Sequence, residues 1–179
     1  MSTLHRAVFL DRDGVIIRAV IQDGRPYAAR SMKEMEILPG VAEAMSALRQ
    51  ADFRIVVVTN QPDVATGLVQ REVVETMHEA LCRQLPLDDI KVCYHIDADG
   101  CFCRKPKPGM LVEAAQQWSL DIQRSFMVGD RWRDIAAGTA AGCKTILVES
   151  GYNERAAESP DFVVDSLLEA SRLILAQNL

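Results

Sequence analysis

The chain has no long apolar run. Nothing in its 179 residues approaches the roughly 18 consecutive apolar positions of a membrane-spanning helix, and the N-terminal MSTLHRAVFLDRDG breaks its short apolar segment with aspartates. It also lacks a basic excess: the formal charge is −5, the pI is near 5.2, and no block of five or more basic residues occurs. That excludes the usual footprint of a nucleic-acid surface, so an anionic ligand would need a local site. There is no internal repeat, low-complexity tract or linker. These absences lead us to expect a cytoplasmic, monomeric protein, a single domain over residues 1–179, with neither membrane nor nucleic-acid partners. Cysteines number only five, and in a reducing compartment they are poor disulfide formers. Clustered ones therefore read as metal ligands or reactive thiols.

What is present is core-forming. With 49% hydrophobic residues, a chain of this length buries about 70% of its unfolded surface. Short apolar runs alternate with helical patterns. Strands are expected at Arg6–Leu10, Phe53–Val58, Ile90–Tyr94, Ser125–Val128 and Thr145–Val148. Helices are expected at Val41–Gln50, Arg71–Leu85, Met110–Trp118, Ile135–Ala141 and Ser166–Gln177. Such alternation implies right-handed crossovers and an α/β fold with a mostly parallel sheet, in which ligands sit at the carboxyl ends of strands. Residues 16–37 show no clear pattern and read as a loop that shapes a site.

Polar residues fall at those strand ends. The first strand runs into Asp11-Arg12-Asp13-Gly14, the second into Thr59-Asn60-Gln61, and the fourth into Gly129-Asp130-Arg131, with Asp134 four residues past Asp130. Alone, an acidic pair after a strand is consistent with a turn and a helix cap. A calcium loop fails, because the twelfth position from Asp11 is Gln22 and the sixth is Ile16. Together the three ends suit phosphoryl transfer. Clustered carboxylates repel unless a cation sits among them, which suggests Mg²⁺ at Asp11, Asp13 and Asp130. One carboxylate would attack phosphorus, a second would handle the protons, and Thr59 with a nearby lysine would steady the equatorial oxygens.

DRDGV, VVVTNQ, RKPKPG and VGDRWRDI, in that order, resemble the four signature motifs of the haloacid dehalogenase (HAD) phosphohydrolase superfamily. The resemblance implies a three-layer Rossmann-like fold without a large cap domain. It makes Asp11 the nucleophile and Asp13 the general acid/base. Thr59 and Lys105 become phosphoryl stabilisers, and Mg²⁺ is held by Asp11, Asp130 and the backbone carbonyl of Asp13. Asp134 would serve only to orient the metal's waters. Asn60 and Gln61 are expected on the substrate side.

Between the second and third of these motifs lies CYHIDADGCFC, in which Cys93, His95, Cys101 and Cys103 supply three thiolates and an imidazole. That soft set favours a closed tetrahedral zinc site, a structural one, over residues 93–103. The zinc would pin the loop that leads into Arg104 and Lys105. C-x-H, then C-x-C-R-K-P-x-P-G-M, is similar to the zinc-bearing D-glycero-D-manno-heptose 1,7-bisphosphate phosphatases, with histidinol-phosphate phosphatases and other sugar-phosphate phosphatases as alternatives. A noncatalytic zinc-stabilised binding module is the competing class, against which intact Asp11 and Asp13 weigh. The heptose resemblance implies removal of the 7-phosphate from a small phosphorylated metabolite and adds Arg104 and Arg131 as substrate contacts. The family's usual N-Q-S-G-I-A-R-G reads here Asn60-Gln61-Pro62-Asp63-Val64-Ala65-Thr66-Gly67. Outside these motifs, Cys82 and Cys143 are expected in the core, and His5 and His78 on solvated surfaces.

Overall fold

The structure, a computed structural model, describes residues 4–177. Six parallel strands form one sheet in the order β5-β4-β1-β6-β7-β8. They are β1 (Arg6–Leu10), β4 (Phe53–Asn60), β5 (Asp89–Cys93), β6 (Phe126–Gly129), β7 (Lys144–Val148) and β8 (Phe162–Val164). A separate antiparallel hairpin pairs β2 (Val20–Gln22) with β3 (Arg25–Tyr27). The helices are α1 (Val41–Gln50), α2 (Arg71–Gln84), α3 (Gly109–Trp118), α4 (Trp132–Ala141) and α5 (Leu167–Ala176). No helix among the described residues is long and apolar enough to cross a membrane.

The three layers follow from the two-residue period of the strands. Val8 and Leu10 of β1 join Met45, Leu48, Met77, Leu81 and Ile174 on the face covered by α1, α2 and α5. Ala7 and Phe9 point the other way, to Leu111, Ala114 and Ala137 of α3 and α4. Buried on both faces, the central strands are nearly continuous apolar runs, as in RAVFL and FRIVVV. Burying one Leu or Phe in such a layer is worth about 1.5–3 kcal/mol. Because β4 lies on one side of β1 and β6 on the other, the order of connection reverses at β1. A crevice opens at that point, outside the carboxyl ends of the strands.

The expected strands and helices appear with their ends shifted by at most three residues. Three strands and two short 3₁₀ turns were not anticipated. β8 is a three-residue edge strand. The hairpin occupies part of residues 16–37, turning through Asp23 and Gly24 at φ of 52° and 74°. Two successive left-handed residues suit the twist of a two-residue hairpin turn, which is why Asp-Gly serves there.

Candidate active site

Asp11 is the first residue beyond β1, tied to β6 by its N–H donating to the Val128 carbonyl at 3.0 Å. Asp130 follows β6, and Thr59 lies near the end of β4. The sheet thus sets all three. Gly14 has φ of 90°, and a Cβ there would overlap the Asp130 carboxylate and touch the Tyr152 hydroxyl, so only glycine lets the DRDG turn pass.

Oxygens of Asp11, Asp130 and Asp134 lie within 4.8 Å of one another, all buried. Lys105 Nζ sits between Asp11 Oδ1 at 2.9 Å and Asp134 Oδ1 at 2.5 Å. Asp134 Oδ2 accepts from the Arg131 N–H at 3.0 Å at the start of α4. Asp130 is different: both its oxygens are buried without a well-formed hydrogen bond, and the nearby Tyr152 hydroxyl only partly eases its charge. Burial first, then repulsion from Asp11 and Asp134, pushes its carboxyl well above the usual range. Burial, with Asp134 against it and Lys105 opposing, raises Asp11 to about 6. One buried cation against three carboxylates leaves negative charge uncompensated. A buried carboxylate with empty lone pairs, beside two others, fits a hard divalent cation with oxygen ligands.

Asp13 points elsewhere. Its carboxylate accepts from Arg12 Nε at 2.9 Å and Nη2 at 3.2 Å, from Gln61 Nε2 at 3.0 Å and from the Ala29 N–H at 3.0 Å. Gln61 Nε2 also donates to Thr59 Oγ1 at 2.8 Å, so this buried amide joins two of the expected catalytic groups from beneath. Asn60 pins the motif lysine's backbone, donating to the Lys105 carbonyl at 3.0 Å and accepting its N–H at 3.1 Å. A cleft is lined by Asp11, Asp13, Asn60, Lys105, Arg131, Arg133 and Asp134, together with Pro26, Tyr27 and Ala28 on the hairpin side. Residues 16–37 do shape the site.

Cys93, His95, Cys101 and Cys103 also converge. Cys103 Sγ lies 3.1 Å from Cys93 Sγ, 3.5 Å from Cys101 Sγ and 3.3 Å from His95 Nδ1, and Cys93 Sγ lies 3.7 Å from Cys101 Sγ. A tetrahedral zinc with arms of about 2.3 Å separates its sulfurs by about 3.7 Å. All five cysteines are free thiols, and these four donors can hold a metal ion. The cluster is anchored to the crevice, since the Cys93 carbonyl accepts the Gln61 N–H at 2.7 Å.

Both arginines expected to contact substrate carry carboxylate partners. Arg131 grips Glu154 with Nε and Nη2 at 2.8 and 2.6 Å. Arg104 donates from Nε to Asp97 Oδ1 at 2.8 Å. Arg12 and His78 were not anticipated as part of the site. Arg12 is wholly buried, with Nη1 3.0 Å from His78 Nε2. His78 is therefore not a solvated histidine; burial and the Arg12 charge lower it to about 4. Its spacing with Val74, Met77 and Leu81 on the buried face of α2 was the available signal. Cys143 is buried as expected, whereas Cys82 is exposed, on the outer face of α2.

An HAD-hydrolase-like family model matches residues 102–170. The D-glycero-beta-D-manno-heptose-1,7-bisphosphate 7-phosphatase of Bordetella bronchiseptica is 38% identical over 155 residues, covering 84% of each chain. The enzyme of the same name from Escherichia coli K12 is 34% identical, covering 96% of this chain and 94% of its own. In three dimensions, the crystal structure of the D,D-heptose 1,7-bisphosphate phosphatase from B. bronchiseptica, complexed with magnesium and phosphate, superposes with a TM-score of 0.83 at 32% identity. That match covers 96% of this chain and 99% of the other.

Proposed function

This chain belongs to the HAD-like phosphatases, within the heptose-1,7-bisphosphate 7-phosphatase family, and from that premise we propose that it removes the 7-phosphate of D-glycero-D-manno-heptose 1,7-bisphosphate. The observation that carries the reading is the buried trio of Asp11, Asp130 and Asp134 around Lys105, facing a cleft at the sheet's switch point. A phosphoryl dianion needs that concentration of cation-binding groups, and the turn-plus-cap reading of DRDG does not require it.

Asp11 attacks phosphorus to form an aspartyl phosphate, while the P–O bond to the sugar breaks and Asp13 gives its proton to the leaving oxygen. Asp13 then takes a proton from water as that water attacks phosphorus and restores Asp11. Arg12, Gln61 and the Ala29 N–H hold the Asp13 carboxylate in place. Lys105 and Thr59 counter charge on the equatorial oxygens. Asp11, Asp130 and the Asp13 backbone carbonyl would hold Mg²⁺, which when bound would offset negative charge on the phosphoryl group. Asp134 serves by fixing Lys105 and capping α4. Cys93, His95, Cys101 and Cys103 would hold a zinc ion, which would order the loop ahead of Arg104 and Lys105. The protein acts as a cytoplasmic monomer of one domain on a small metabolite in this reading.

Asp11→Asn tests the chemistry. With a neutral amide in place of the nucleophile, turnover should fall by at least about a thousandfold while the circular dichroism spectrum is retained. Activity above a few per cent of wild type would dismiss the covalent route. If wild type turned over histidinol phosphate faster than the heptose bisphosphate, the substrate assignment would fall and the chemistry would stand.

A further inference from the structure

Four cations line or border the cleft, and they differ in what already holds them. Lys105 is buried between two carboxylates. Arg131 makes a two-pronged pair with Glu154, whose side chain is only 17% exposed. Arg104 sits in the Cys/His loop with Nη1 buried and unpartnered. Arg133, on the first turn of α4, lines the cleft and donates Nη1 and Nη2 to the two oxygens of Asp97 at 3.1 and 3.0 Å. The same Asp97 accepts from Arg104 Nε, and its side chain is 63% exposed.

An exposed ion pair is worth about 0–1 kcal/mol, because water competes for both partners. A phosphate dianion offers more charge and more acceptor oxygens to the same guanidinium fork. Of the cleft-lining cations, Arg133 is thus the one whose carboxylate is most cheaply exchanged. It is also preordered. Its guanidinium lies 4.8 Å from the Trp132 ring centroid, and Nη1 approaches the Lys105 carbonyl at 3.3 Å. Holding the fork in advance lowers the entropy lost when a ligand arrives. Asp97 belongs to the short turn Asp97–Asp99, between His95 and Cys101, so its carboxylate joins an arginine of the thiol loop to one of α4. A point where two guanidiniums already share one anion is a point where an anion is favoured.

We propose that Arg133 receives the second phosphate of the substrate, beside the Arg104 that the family resemblance already places on the substrate side, and that Asp97 is an exchangeable placeholder for it. The assignment rests on the bisphosphate reading above. It explains how a chain of net charge −5 holds a second dianion at the rim of an acidic crevice. The substrate's remote group displaces a carboxylate of the protein itself.

Steady-state kinetics on the heptose 1,7-bisphosphate and on the 7-phosphate alone test this, since the two differ only in the remote group. Arg133→Ala should lower the ratio of kcat/KM between the bisphosphate and the 7-phosphate by about 10- to 100-fold, mostly through KM, as loss of a charge-assisted pair requires. Arg133→Lys should recover part of it, a point charge without the planar fork. Asp97→Asn should leave KM for the bisphosphate equal or lower. An unchanged ratio in Arg133→Ala, or equal losses on both substrates, overturns the role of Arg133. A KM in Asp97→Asn as high as in Arg133→Ala overturns the placeholder and makes Asp97 a strut. Failure of the bisphosphate reading is distinguishable, because it would show in the wild type as no preference for the bisphosphate before any substitution is made.

Discussion

Asp11, Asp130 and Asp134 gather within 4.8 Å, and so do Cys93, His95, Cys101 and Cys103, yet the chain orders the two sets by opposite means. Asp11 and Asp130 are the residues just past two adjacent central strands, so the sheet places them whether or not anything is bound. The cost shows in carboxyls whose protonation midpoints are raised, first by burial and then by mutual repulsion, which Lys105 and, at Asp130, the Tyr152 hydroxyl only partly offset. In the other cluster only Cys93 ends a strand, while His95 is exposed and Cys101 and Cys103 lie on a loop with one short turn. A ligand bound by the first set relieves a charge conflict in a framework that is already rigid. A ligand bound by the second supplies the framework itself. Removing the metal should therefore disable the first site without disordering it, and loosen the second.

The largest effect should follow from Asp130→Asn. Turnover should fall by about a thousandfold or more, because the site loses a cation ligand. The same change should raise the melting temperature of metal-free protein at pH 7 by a few degrees, since a neutral amide ends both the burial cost of the charge and its repulsion, and each kcal/mol moves Tm by about 2–4 °C at this size. Calorimetry with and without Mg²⁺ checks it; a lower metal-free Tm would mean that Asp130 is held by partners and not strained.

Cys101→Ser should do the reverse. Losing one of four soft ligands should cost about 3–4 kcal/mol, or about 10 °C in Tm, with a smaller fall in kcat/KM as the residues before Lys105 loosen. Metal analysis should find one zinc per wild-type chain and little in the variant. An unchanged Tm in the variant would break the contrast between a framework metal and a reaction metal.

The same contrast governs what was legible in the sequence. RAVFL and FRIVVV announce buried strands because a sheet covered on both faces demands continuous apolar runs, and the acidic residues just after them follow from the switch-point rule. The Cys/His loop was legible for the opposite reason, since ligand chemistry repeats at short spacing whatever the backbone does. The hairpin was missed although Asp23-Gly24 is a strong turn signal, because its flanks, VIQ and RPY, are only three residues each and carry no alternating apolar pattern. Pairings over long separations left no trace: Arg131 with Glu154, Arg133 with Asp97, Arg12 with His78. Arg12 reads as a surface charge between two aspartates, and only the fold shows its side chain turned inward.

His78 offers the smallest effect and a sharp one, because it reports on the buried arginine that positions Asp13. Burial, then the Arg12 charge, lowers the histidine from 6.5 to about 4, opposed by Asp13. A depressed midpoint means the unfolded chain takes up the proton first. The stability associated with neutral His78 is thus complete above about pH 6.5 and is lost as pH falls toward about 4, at about 1.4 kcal/mol per pH unit. By pH 4.5 that amounts to about 2.5 kcal/mol. The metal-free carboxylates slope the other way: with its midpoint raised to about 6, Asp11 favours the folded state at low pH and loses that advantage as pH rises through about 6. His78→Gln keeps an acceptor for Arg12 and cannot titrate. It should change Tm at pH 7.5 by no more than a few degrees and flatten the acid side of the stability profile, leaving the carboxylate slope exposed. An acid limb as steep as in wild type would show that His78 is protonated in the folded protein, and the Arg12–His78 contact could not then be a hydrogen bond.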